Sequence, residues 1–250
     1  MTDLVWLIPT FPLLGFVTLV FFGRYLSEPK AGWLATGMMS ASFLSALLVF
    51  FGLIAKESEN RQLVFTLFDW VPAGDLTVDF GFLIDPLSIT MCLFVTGVGT
   101  LIHLYSIGYM HGDINFSRFF TYLNLFAFSM LVLVLADSLL LTFLGWEGVG
   151  ACSYLLISFW FGENANATAG KKAFITNRVG DFGFMVAMFA IFFNFGSLQY
   201  LDIFASISSS GIATTTATFV VLMIFIGAMG KSAQFPLYLW LPDAMAGPTP

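Results

Sequence analysis

Charge is what this sequence has least of. Only 10% of the residues are Asp, Glu, Lys or Arg, and mean hydropathy is +0.91. Soluble domains carry about 25% charged residues, so this composition argues against a soluble globular fold. The net charge of −6 sits mostly in the loops and offers nothing to a nucleic-acid partner. Cysteine is scarce too. Cys92 and Cys152 both fall in apolar runs and form no CxxC pair, so they read as small buried hydrophobes and not as metal or cluster ligands. There is no Gly-rich phosphate loop, no haem or iron–sulfur spacing and no nucleophile–base motif. Any redox chemistry therefore belongs to another subunit, and no cofactor or metal is expected in this chain. The N-terminus, MTDLVWLIP, has no basic region ahead of its apolar run, so that run is expected to be kept as a span and not cleaved as a signal peptide.

Long apolar runs are what the chain does have. Several reach about 20 residues, enough to cross roughly 30 Å of hydrocarbon. The sequence predicts an all-α polytopic membrane protein with spans at 4–22, 32–55, 84–108, 119–136, 138–161, 173–195 and 218–245. The polar Asp137-Ser138 step divides a run too long for one crossing. Gly230, Pro236 and Pro242 predict a break in the last helix between Lys231 and Pro236, because proline removes an intrahelical hydrogen bond. Between Arg61 and Leu83, apolar Leu76, Val78, Phe80 and Phe82 alternate with Thr77, Asp79 and Gly81. With Pro72-Ala73-Gly74-Asp75 as the turn, this reads as a β-hairpin outside the membrane, between the second and third spans. The amphipathic stretch 198–207 is expected to lie along the surface. Phe and Trp are spread around all spans, as lipid contact and interfacial belt require. An external N-terminus puts Arg24, Lys30, Arg118, Lys171 and Lys172 inside and only Lys56 and Arg61 outside, which favours that orientation.

The remaining basic residues, Arg178 and Lys231, lie within spans. So do Glu147, in LTFLGWEGVGACSYLLI, and Asp181, in NRVGDFGF. Ionisable groups at that depth cost about 2.5–3.5 kcal/mol each on insertion scales and usually mark proton or ion movement. At about 1.5 Å per residue, Glu147 lies about 14 Å, Asp181 about 18 Å and Lys231 about 20 Å from the outer face, one layer on three helices. Gly145, Gly148 and Gly150 around Glu147 let a partner or water reach its carboxylate. A Glu147–Lys231 pair about 7 Å apart would interact by about 2.4 kcal/mol at an effective dielectric of 20, so moving or neutralising the carboxylate would let Lys231 release its proton. The competing reading is a static ion pair that fixes packing. Arg178 and Asp181, three apart, share a helix face. They form either a self-contained pair or a device that tunes Glu147 and Lys231. Arg178, about 7 Å in, is also close enough to snorkel to the inner interface. His103, in GTLIHLYSIGYM, is a candidate proton carrier at neutral pH, although a hydrogen-bonded helix histidine is the commoner case. His111 reads as solvated, and Asp85 before Pro86 as a helix cap. Asn166-Ala167-Thr168 matches a glycosylation acceptor but falls in a loop expected inside.

SRFFTYLNLFAFSMLVLVLADSLLLTFLGWEGVGACSYLLISFW, NRVGDFGF and GAMGKSAQFPLYLWLPDAMAGPTP closely resemble the largest antiporter-like membrane subunit of respiratory complex I, the NADH-quinone oxidoreductase subunit L family. Sodium/proton antiporters of the Mrp type share the same core. The resemblance implies two inverted helical repeats, each forming half of a proton path. The first repeat carries a glutamate on its second helix and a lysine on a broken helix, and Glu147 and Lys231 stand at those positions. Asp181 and Arg178 match an acidic position and its basic companion on the helix between. The resemblance divides the chain into an N-terminal three-helix region with the hairpin, 1–118, and a first repeat, 119–250, incomplete at its C-terminal end. It places NADH, FMN, iron–sulfur and quinone sites on partner subunits, and it implies a neighbouring antiporter-like subunit, the lipid bilayer and a bacterial plasma membrane. That family's chains are more than twice as long, so a fragment is expected.

Overall fold

A computed structural model describes residues 2–74 and 76–250. Its helices are α1 (Leu7–Phe22), α2 (Lys30–Ile54), α3 (Pro86–Tyr109), α4 (Phe116–Leu135), α5 (Leu139–Ile157), α6 (Asn164–Phe195), α7 (Tyr200–Ser210), α8 (Thr214–Lys231) and the four-residue α9 (Leu241–Ala244). Seven of them are long and apolar enough to cross a membrane, as expected from the runs. Strands β1 (Leu63–Ala73) and β2 (Leu76–Ile84) form the antiparallel hairpin between α2 and α3, with bulges between Thr66 and Phe68 and between Asp69 and Val71. Of the four expected turn residues, Asp75 lies outside the described residues. Buried Phe82 and Ile84 of β2 pack with Val5, Ile8, Ile89, Leu131 and Leu135, so the hairpin closes one end of the bundle. The surface segment expected at 198–207 is α7.

Local chemistry fixes several helix starts. Asp85 accepts from the Ser88 amide at 2.7 Å while Ser88 Oγ accepts from the Asp85 amide at 2.9 Å, and Pro86 follows. This capping box satisfies orphan donors at the start of α3. Ser138 Oγ accepts from the Leu141 amide and starts α5.

Two helices depart from expectation. α6 begins at Asn164, well before Ala173. The stretch NANATAGKK is too polar to register as a span but is rich in helix formers, so the helix continues beyond the apolar layer. Arg178 is then about 21 Å from the helix start, of which the polar stretch accounts for about 14 Å. The last span, expected to run to Met245 with a break inside it, ends at Lys231. The Gln234 amide donates to Met229 O at 3.0 Å, the Ala233 amide points to Gly230 O at 3.4 Å, and Ala233 sits at φ 50°. That is a Schellman cap with alanine at the left-handed position glycine normally fills. Beyond it the chain runs along α5 and α6. The Trp240 indole donates to Gly230 O at 3.0 Å, and Lys172 pairs with Asp243 at 2.7 Å.

α6 and α8 touch through backbone. A β-carbon at Gly180 would lie 3.1 Å from Gly230 Cα, and one at Gly183 would lie 2.9 Å from Met223 O. Small residues allow this approach, which brings the polar groups of α6 close to the end of α8.

Candidate proton-relay site

The site is built on α5, α6 and α8. Glu147 projects from α5 and forms an ion pair with Arg178 of α6. Arg178 Nη2 also stands 3.3 Å from Asp181 Oδ2, so one guanidinium lies between two carboxylates. Asp181 is 3% exposed, and its Oδ1 accepts a 2.5 Å hydrogen bond from the Trp146 indole. Phe174 lies under the guanidinium at 4.6 Å, a cation–π contact that holds the arginine from its other side.

Lys231 is the last residue of α8, where the negative end of the helix dipole favours a cation. Its Nζ lies 5.6 Å from the Trp146 ring centroid. Among the described residues it makes no hydrogen bond and no ion pair. Gly150 explains how it comes so near the other groups. The point a Gly150 β-carbon would occupy is 2.5 Å from Lys231 Nζ and 2.7 Å from Arg178 Nη2. The missing side chain is thus the space in which two cations approach each other. With both acids ionised, two negative and two positive charges balance across three helices.

The direct ion pair forms between Glu147 and Arg178; among the described residues Lys231 has no direct partner, and its interaction with Glu147 acts through space, as the expected separation of about 7 Å implied. Arg178 is shared between Glu147 and Asp181, so it neither snorkels to an interface nor forms a self-contained pair. The physical reason is helix stagger. Counted from their ends at the hairpin face, Glu147, Asp181 and Lys231 would lie about 12, 21 and 25 Å deep at about 1.5 Å per residue, yet contacts join them. Of the three glycines near Glu147, only Gly150 opens onto the cluster. Gly145 packs on the Leu133 backbone and Gly148 on Ser129, both of α4. Trp146 was not among the sequence candidates. Its only signal was its place beside Glu147.

His103 is not brought to this cluster. It sits on α3, 2% exposed, with Nδ1 donating to Gly99 O at 2.7 Å and its ring tilted against Phe120. It borders a cavity of about 190 Å³ lined by Met39, Val95, Leu123 and Met130. His111 is not merely solvated, for its Nδ1 pairs with Glu28 of the loop between α1 and α2. Asp85 caps α3 as expected.

Comparison with known proteins adds to this geometry. Residues 136–250 match the family model described as NADH:quinone oxidoreductase/Mrp antiporter, TM, and residues 70–120 match NADH-Ubiquinone oxidoreductase (complex I), chain 5 N-terminus. The NADH-quinone oxidoreductase subunit L of Mycobacterium tuberculosis is 46% identical over 249 residues, all of this chain and 39% of the relative. The chain belongs to the antiporter-like family of NADH:quinone oxidoreductase membrane subunits. It is accordingly a multi-pass membrane protein. The family's Escherichia coli subunit L is 43% identical over 242 residues, 96% of this chain and 39% of its own length. A solved structure titled as the Mrp complex from Dietzia sp. DQ12-45-1b superposes with a TM-score of 0.82 at 25% identity, covering 98% of this chain and 25% of that one. The chain spans about two-fifths of the length of the curated relatives it matches.

Proposed function

We propose that this chain is part of a proton-translocating membrane subunit of NADH:quinone oxidoreductase, a translocase driven by redox chemistry elsewhere in the complex. The observation that carries the reading is the four-group cluster on α5, α6 and α8, with Lys231 at a helix end and, among the described residues, free of a direct partner. Arg178 can lean toward Glu147 or toward Asp181. Leaning toward one exposes the other carboxylate to Lys231, and that difference decides whether Lys231 keeps or releases its proton. Glu147, Arg178, Asp181 and Lys231 hold and pass protons or tune those that do. His103 sits apart from this cluster on α3, and the relay through the four groups does not run through it.

In this reading residues 1–118 are a supporting three-helix region with the hairpin, and residues 119–250 belong to the first antiporter-like repeat. The subunit lies in a bacterial plasma membrane with its N-terminus external and the hairpin on the outer face. It adjoins lipid and other membrane subunits of the complex, a neighbouring antiporter-like subunit among them. NADH, FMN, iron–sulfur clusters and quinone are held by partner subunits.

The test is proton uptake by inverted membrane vesicles during NADH oxidation, comparing full-length wild type with Glu147→Gln and Lys231→Ala. Assembly is followed by native gel and electron flow by an artificial acceptor. Uptake lost at normal assembly and acceptor activity supports the reading. Unchanged uptake at an unchanged oxidation rate removes both residues from the proton path. A second reading, a subunit of an Mrp-type sodium/proton antiporter, draws on the structural likeness to the Dietzia complex. Co-purification separates the two: peripheral flavin and iron–sulfur subunits favour the first, and small membrane partners alone favour the second.

A further inference from the structure

Three elements meet around one carboxyl group at the hairpin end of the bundle. Asp137 lies in the turn between α4 and α5. Its amide donates to Gly81 O of β2 at 3.3 Å, and its carbonyl accepts from the Tyr200 amide of α7 at 3.0 Å. Ala136 pairs with Phe82 of β2 on one side, and Ser138 pairs with Gln199 on the other. Backbone bonds thus join the hairpin, the α4–α5 turn and the start of α7.

The side chain at the centre of this junction is poorly provided for as an anion. Asp137 is 6% exposed, and its Oδ1 has no hydrogen-bond partner. It lies directly on Gly81, where any β-carbon would collide with its carboxyl group. The titratable groups facing it are Asp79 of β2 and Tyr200 of α7. Asp69, the cross-strand partner of Asp79, stands behind, and Gln199 Nε2 donates to Asp79 Oδ2 at 3.5 Å. Among the described residues, no Lys, Arg or His pairs with Asp137, Asp79 or Asp69. A buried carboxylate next to another carboxylate, with no cation to offset it, strains the junction. A neutral carboxyl does not.

We infer that Asp137 is a proton-operated latch: protonated, it lets the hairpin, the α4–α5 turn and α7 stay joined, and ionised, it drives Asp79 and the hairpin away. Burial raises the Asp137 carboxyl from 3.8 to about 6, opposed by the Ser138 hydroxyl and its own backbone N–H and reinforced by Asp79. Once the junction opens to water, the group returns toward the lower value. Between the two values the open form binds fewer protons than the closed one. The latch therefore weakens as pH rises from about 4 to about 6 and changes no further above that, a span worth about a hundredfold in the opening equilibrium. In the orientation proposed above, the latch would tighten as the receiving side acidifies. That consequence alone rests on the orientation.

Hydrogen exchange in the full-length protein within its assembled complex tests this. Peptides covering 78–83 and 136–140 are followed from pH 4.5 to 7.5, with intrinsic exchange rates divided out. Across this window the opening constant is expected to rise about 25-fold, most of it below pH 6.5, and then level off. Asp137→Asn should abolish the pH dependence and keep the segments protected throughout. Asp79→Asn, with Asp137 intact, should move the plateau to lower pH. Wild-type exchange independent of pH would overturn the latch. So would a wild-type pH profile in Asp137→Asn, or equal loosening of that variant at every pH, which is what a purely structural residue gives.

Discussion

Gly150→Ala is the most discriminating change the site offers, because it inserts one methyl group where two cations meet. The new β-carbon would stand 2.5 Å from Lys231 Nζ and 2.7 Å from Arg178 Nη2, and ordinary contact needs about 3.4 Å. Both obstacles are the far ends of flexible side chains, so the helices need not move. Fold stability should change by less than about 1 kcal/mol, since alanine also improves the helix. The guanidinium must shift by about 0.7 Å. At an effective dielectric of 20, its interaction with Asp181 is about 5 kcal/mol at the observed 3.3 Å. A shift of that size alters it by roughly 0.9 kcal/mol. Proton uptake by inverted vesicles, measured across pH in the full-length protein, should show its optimum displaced by about half a unit to one unit at near-normal assembly. Gly145→Ala is the contrast, because its β-carbon would meet Leu133 backbone atoms at 2.5–2.6 Å and backbone cannot rotate aside. That variant should lose assembly. An unaltered pH profile in fully assembled Gly150→Ala would refute the claim that the spacing of these charges sets proton movement.

Further outcomes follow from the same coordinates. Trp146→Phe removes the donor to buried Asp181 Oδ1, and an unsatisfied buried acceptor costs about 1–3 kcal/mol. The thermal midpoint of the assembled complex should fall, and uptake should change with pH. Asp85→Ala dismantles the capping box of α3 and should cost about 1 kcal/mol in thermal stability without affecting uptake per assembled complex. His103→Asn should leave uptake per assembled complex unchanged, because no contact joins it to the α5–α8 cluster. The Gly112 amide and His111 hold the Glu28 carboxyl below its usual 4.5. The clamp is thus fully present above that value and is lost as pH falls through the depressed one, so exchange of the Gly112 amide should accelerate in acid and should be fast at all pH in Glu28→Gln.

Hydropathy located the spans because apolar length is a direct physical requirement, and period-two alternation located the hairpin. The site was half legible. Ionisable residues stand out in runs such as LTFLGWEGVGACSYLLI, so Glu147, Arg178, Asp181 and Lys231 could be named. Their pairing could not be read, because it depends on where each helix starts relative to its neighbours. The segment NANATAGKK hid the true start of α6. Trp146 reads as lipid contact in the sequence because an indole donor has no signature apart from its target. The Schellman cap after Lys231 was foreseen only as a break. Proline signals that a helix stops, but the backbone chooses the residue at which it does.

The glycine-on-glycine crossing of α6 and α8 has a mechanical consequence. Contacts made through side chains can yield by changing rotamer. Where Gly180 lies on Gly230 there is nothing that can yield in that way, so at this level the two helices behave as one girder with Arg178 and Asp181 on one flange and Lys231 on the other. A push on the chain beyond Gly230 would swing both flanges together against α5. The distance that can vary is then the one between this girder and Glu147, which is where the cluster's only cross-helix ion pair among the described residues is found.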